Sequence, residues 1–173
     1  MDLVANERLG ERSLNFITRR GNKRRTIDVV DRMNAIGIPK SRGLIGLHNF
    51  SGADWGGKFV GISKKHWMST YLALENADPV VECFRNLGTA EIKMQLEGED
   101  LPPEILPLEA FVCKMYSSKG PYPIPILRWE LFRTKNMEGE MLPPTRASLV
   151  PHIVRVNYIC QRDKSYVSAV QDS

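Results

Sequence analysis

Glycine and proline recur so regularly along this chain that long strands and long uninterrupted helices are ruled out over most of its length. Thirteen glycines and eleven prolines stand in 173 residues. They fall in clusters, at Gly37 and Pro39, at Gly52 to Gly61, at Pro79, at Gly88, from Gly98 to Pro103, from Gly120 to Pro125, and at Pro143, Pro144 and Pro151. Proline fixes φ and removes an amide donor, and glycine frees the backbone, so each cluster ends one element and starts another. Between the clusters apolar residues recur at three and four residues, the period of a helix with one buried face. The chain therefore has to fold as a packing of short helices.

The individual stretches refine this reading. Residues 14–18 and 26–30 are short apolar runs around a Gly-Asn pair, which predicts a small hairpin with a basic tip. Helical spacing follows over 29–36, ended by Gly37 and Pro39, and again over 41–50. Residues 54–63 form an irregular glycine-rich connection, after which Ser63 caps a helix to about residue 76. Asp78 and Pro79 are a cap and a first-turn proline for a helix with Val80, Val81, Phe84 and Leu87 on one stripe, ended by Gly88.

A linker over 89–104 precedes a helix carrying Ile105, Leu108, Val112, Met115 and Tyr116, expected to run to Gly120. Pro125 opens a helix to Arg133, residues 137–144 are a loop, and Thr145 opens a last helix with Leu149, Ile153, Val156 and Cys160 on its stripe. Pro151 predicts a kink or restart there. The expected organisation is a flexible 1–13, a first portion over 14–88, the linker 89–104, and a helical region over 105–173. The fold class is mainly α with a small N-terminal β-hairpin.

Composition narrows the function classes. Hydrophobic residues at 42% and charged residues at 25% are globular values and argue against disorder. Nothing in residues 1–14 reads as a signal peptide, and no stretch approaches the roughly 20 apolar residues of a membrane span, so no membrane partner and a nuclear or cytoplasmic location are expected. Cys83, Cys113 and Cys160, without a ligand-like pair, read as free thiols. Charge is uneven: residues 1–66 hold 13 Lys and Arg against 6 Asp and Glu, a net +7, while residues 67–173 hold 11 against 14, a net −3. A polyanion would therefore meet the first third.

The stretch from Gly46 to Asp54, followed by Trp55 to Lys65, resembles the helix-turn-helix region of the flap endonuclease and XPG-type nucleases, a PIN-like superfamily. There a Gly-x-Asp closes an apolar helix, and a glycine hairpin of the form Gly-Ile-Gly-Pro-Lys follows. Here Gly52-Ala53-Asp54 and Gly61-Ile62-Ser63-Lys64-Lys65 stand in those places, with Ser63 for the second glycine and Lys64 for the proline. A lineage of mobile-element-associated animal proteins in this superfamily is more similar still. Its signature is matched by Leu47 to Asp54, Phe84 to Gly88, Leu142 to Thr145 and His152 to Tyr158, in the same order.

The resemblance implies that Asp54 is catalytic and a ligand for Mg or Mn. Two-ion hydrolysis needs several converging carboxylates, and the family's acidic strand motifs have no counterpart among Asp2, Glu7 and Glu11. Asp28 and Asp31 read as ordinary residues of a helix start. The set is expected to be incomplete, as in the carboxyl-terminal part of a longer protein or a decayed copy.

Binding is what remains. Gly61 and Ser63, entering a helix whose first turn carries Lys64, Lys65 and His66, suit a phosphate, with Lys58 nearby in sequence; Arg19, Arg20, Lys23, Arg24 and Arg25 form a second basic cluster. The expectation is a nuclease-derived module contacting the DNA backbone without sequence preference. Alternatives are a non-enzymatic domain that binds a protein partner through residues 79–158, and a fragment of a metal-dependent structure-specific endonuclease. His48 and His152 are expected to pack on helix faces, and Trp55, Trp67 and Tyr71 to be core in preference to base-stacking residues.

Overall fold

The computed structural model describes residues 15–20, 23–53, 59–89, 102–118, 123–135 and 137–171. The expected hairpin is present as two antiparallel strands, β1 (Asn15–Arg20) and β2 (Lys23–Asp28), in a register that runs from Asn15 opposite Asp28 to Arg20 opposite Lys23. Among the described residues the elements that follow are helices, α1 (Val29–Ile36), α2 (Ile38–Phe50), α3 (Lys64–Leu72), α4 (Pro79–Asn86), α5 (Leu106–Tyr116), α6 (Ile124–Lys135) and α7 (Arg146–Gln171), with a 3-10 turn at Gly139–Met141.

Local capping explains most boundaries. The Asp28 carboxylate accepts from the Asp31 amide at 3.1 Å, Ser63 Oγ from the His66 amide at 3.2 Å, and Asp78 Oδ1 from the Val80 amide at 2.8 Å. Gly37, at φ +92°, turns the chain from α1 into α2.

Five expectations need correction. α2 starts at Ile38 rather than near Ser41, because Pro39 falls in its first turn, where a missing amide costs nothing. α3 stops at Leu72 rather than near Asn76, where Lys40 Nζ takes the Leu72 and Leu74 carbonyls at 3.1 and 3.0 Å and satisfies the end of the helix. α5 ends at Tyr116 rather than Gly120, and α6 runs two residues past Arg133. α7 continues through Pro151 without a restart. The amide that proline lacks would have bonded the carbonyl of Ala147, and both residues are exposed, so water can serve that carbonyl. Of the expected linker, residues 90–101 lie outside the described residues, and the turn at Pro102–Ile105 leads into α5.

One hydrophobic core joins the two portions that the linker divides in sequence, with α2 crossing α4 and α7 and α4 meeting α5. At its centre the Phe50 ring stands edge-on to Trp67 at 5.7 Å and to Phe84 at 5.4 Å, and Phe111 closes on Phe84 at 5.6 Å. Trp67 and Tyr71 are fully buried, as expected of core residues. Glycine makes the tightest crossing possible: a Cβ on Gly46 would lie 2.4 Å from the Phe84 carbonyl oxygen.

Lysines from other elements close three helix ends. Lys40 serves α3, Lys64 Nζ donates to the carbonyls of His48 and Gly52 at the end of α2 at 3.4 and 3.1 Å, and Lys164 Nζ donates to those of Arg85 and Leu87 at the end of α4 at 3.0 and 2.6 Å. Cations suit the negative ends of helix dipoles and their unpaired carbonyls. No helix among the described residues is long and apolar enough to cross a membrane.

Candidate functional site

The basic hairpin is the first part of the site. Its register sets Arg19 opposite Arg24, Arg20 opposite Lys23, and Arg25 opposite Thr18. Like charges directly opposite each other in an antiparallel pair are destabilising, and the register sets two such pairs at consecutive positions. Arg24 and Arg25 are exposed.

The glycine-turn residues divide differently from the sequence expectation. Asp54 and Lys58, with Trp55, lie outside the described residues. Gly61 has φ +76° and Ser63 caps α3, while the exposed Lys64 ammonium bonds carbonyls at the end of α2. Lys65 and His66 are exposed on the first turn of α3. Asp28 and Asp31 form the cap of α1, as expected of a helix start. Among the described residues no group of three or more His, Cys, Asp or Glu could hold a metal.

What the sequence could not show is how its quoted stretches meet. His152 of α7 bonds through Nε2 to the Phe50 carbonyl at 2.9 Å, and Asn157 Oδ1 accepts from the Gly88 amide at 2.7 Å. Asn49 Nδ2 donates to Asp163 Oδ2 at 3.2 Å and reaches Cys160 Sγ at 3.5 Å. Three of the four matching stretches are thus tied together by buried or half-buried polar contacts. His48, expected to be packed, is instead exposed.

Beside His152 opens a cleft of about 400 Å3. The loop after residue 58, the end of α5, the middle of α6, the 3-10 turn and the start of α7 all contribute to it. Tyr116 Oη donates to the Val60 carbonyl at 3.5 Å, Arg128 Nη1 to the Pro143 carbonyl, and the hydroxyls of Thr145 and Ser148 lie 3.0 Å apart. Burial pushes the Tyr116 phenol up to about 12, with Arg128 pulling the other way, so the phenol keeps its proton. Tyr116, Arg128 and Ser148 were not legible as site residues; only the turn before α7 and His152 carried a signal in the sequence.

The cysteines are poor nucleophiles. Burial, helped by Glu82 and Asp78, pushes the Cys83 thiol up to about 11; burial and then Glu109 push Cys113 up to about 12, against Arg146. All three thiols are free.

Burial lowers the proton affinity of His152, the bond to Phe50 opposes this, and Arg155 adds to the lowering. The Phe50 carbonyl only accepts, so Nε2 carries the proton in the neutral ring. With the folded value below the unfolded value near 6.5, the unfolded chain takes up a proton first as pH falls. Stability is then full above about pH 7.5 and declines as pH drops through about 6.5 toward the lowered folded value. Urea unfolding at neutral and mildly acidic pH checks this: wild type is expected to lose stability across that window and His152→Phe to lose less. Equal losses in both would remove His152 as the cause.

A scan against family models, a search of curated proteins and a search of solved structures each found no match. Fold and site together define a mainly helical domain with a basic two-stranded hairpin at one end and a polar cleft where its last helix begins.

Proposed function

We propose that this protein is a nucleic-acid-binding module, derived from a PIN-like nuclease, that contacts the DNA backbone without sequence preference. The observation that carries this reading is the pair of cationic rungs in the hairpin, Arg19 with Arg24 and Arg20 with Lys23. A run of opposed cationic positions suits a polyanion, and phosphate contacts position a protein without reading bases. Lys65 and His66, exposed on α3, are a second contact, whereas Lys64 belongs to the capping of α2. Asp54 is the single carboxylate that the resemblance assigns and two-ion hydrolysis needs more, so the reading rests on contact with the backbone.

The test is a salt series of duplex DNA binding followed by fluorescence anisotropy. Arg24→Ala with Arg25→Ala is expected to weaken binding and to reduce the slope of log affinity against log salt by about two, one per lost phosphate contact. Lys64→Ala is expected to leave the slope nearly unchanged and to lower stability instead. A slope indifferent to the double arginine variant would sink the reading.

One observation favours association with a protein partner as a second reading. Ile126, Trp129 and Phe132 on α6 are 53%, 59% and 59% exposed, a stripe of large apolar side chains at a spacing of three. A chain that ignores duplex DNA at low salt would move the weight to that face.

A further inference from the structure

The cleft beside His152 is separate from the hairpin, and its lining mixes two chemistries. Phe59, Leu142, Pro144 and Leu149 are its apolar part. The Phe59 ring stands perpendicular to the His152 ring at 5.3 Å and rests against Trp67 at 4.9 Å, so this side is braced by the aromatic core. The same lining holds the Arg128 guanidinium, bonded to the Pro143 carbonyl, and the hydroxyls of Thr145 and Ser148, 3.0 Å apart.

Both halves are fixed from within. Arg128 is anchored by one N–H to the Pro143 carbonyl, which leaves the rest of its five-donor fork for another acceptor. Thr145 Oγ1 takes the Ser148 amide at 3.2 Å and so sets the position of both hydroxyls. Arg128 in the wall and Arg155 beside His152 outweigh Glu140, the one acidic residue of the lining among the described residues. The volume is at the low end of what small-molecule sites occupy, and a few convergent polar groups against an apolar wall are their usual make-up.

We propose that this cleft binds a small planar organic anion, its carboxylate or phosphate held by Arg128 and the hydroxyls of Thr145 and Ser148, its flat body against Phe59 and Pro144. Guanidinium presents paired N–H groups that match either anion, so the two headgroups share one recognition chemistry. The site is independent of the hairpin, and DNA binding there leaves it untouched.

The experiment titrates the full chain with benzoate, phenyl phosphate and benzyl alcohol, by calorimetry and by the ring C–H resonances of His152. Benzoate or phenyl phosphate is expected to shift the His152 signals and to bind about tenfold more tightly than benzyl alcohol, which lacks the charge. The tighter of the two anions identifies the headgroup. Arg128→Gln is expected to weaken the anion about tenfold and Ser148→Ala about threefold, both with helical circular dichroism retained. Ser148 is exposed, so its variant still reports should Arg128→Gln fail to fold. Equal affinity for the neutral and charged probes, unmoved His152 signals, or anion affinity unchanged in both variants would overturn the assignment.

Discussion

Gly46→Ala is expected to cost about 3 kcal/mol, a large part of the roughly 5 to 15 kcal/mol that holds a domain of this size. The added methyl would sit 2.4 Å from the Phe84 carbonyl oxygen and 3.1 Å from its carbon. These are backbone atoms of α4, so relief requires the two helices to separate rather than a side chain to turn. Separation would loosen Phe50 and Phe84, whose rings meet at 5.4 Å in the centre of the core. Alanine's intrinsic helix preference over glycine, about 1 kcal/mol, works in the opposite direction and is too small to win. Gly139→Ala is the control, since a Cβ there meets nothing within 4 Å. The comparison is a pair of urea unfolding curves. Matching midpoints for Gly46→Ala and wild type would show that α2 and α4 do not lie this close in solution.

The second large effect is at Glu109, whose carboxylate is one of the few buried charges among the described residues. Oε1 accepts from the Ile124 amide at 2.9 Å and from Arg146 Nε at 3.0 Å, and Oε2 accepts from Arg146 Nη2 at 3.2 Å. A single side chain on α5 thereby caps the start of α6 and fixes the start of α7. Its side chain is 5% exposed and that of Arg146 29%, so removing the acid strands an amide in the interior while the arginine still reaches water. Glu109→Ala is expected to lose about 3 kcal/mol, the lower end for breaking a buried pair, because Arg146 can turn outward. Glu109→Gln keeps a carbonyl for Ile124 and is expected to lose about half as much. A Glu109→Ala protein within about 0.5 kcal/mol of wild type would mean that α6 and α7 are held by packing alone.

The two effects bear on the cleft as well as on stability. Arg128 lies on α6 and Thr145, Ser148 and His152 at the start of α7, so Glu109 also sets the spacing of the cleft's polar side. A weakened anion affinity in Glu109→Gln, with the fold intact, would connect that buried pair to the geometry of the opening.

The sequence by itself determined the type and order of the described elements, though not all of their ends. Asp28, Ser63 and Asp78 are caps because each carboxylate or hydroxyl bonds an amide two or three residues ahead, and Gly37 and Gly88 turn the chain because they carry φ of +92° and +80°. The stripe of Val80, Val81, Phe84 and Leu87 named its own buried face, and the Arg19 to Arg25 hairpin announced its charge. All of these rest on contacts between near neighbours.

Tertiary structure alone decided which face meets which. His152 and Phe50 are 102 residues apart, and no periodicity specifies that an imidazole on one helix will find the last carbonyl of another. Lys64 reads as a phosphate ligand beside a glycine turn, yet its ammonium closes α2, because a helix end offers unpaired carbonyls that look alike in every sequence. Arg128 and Tyr116 became cleft residues only when α5, α6 and α7 were brought to one corner. Near-neighbour contacts are written in residue order; the meeting of distant surfaces is set by the shape that all the elements leave when they share one core.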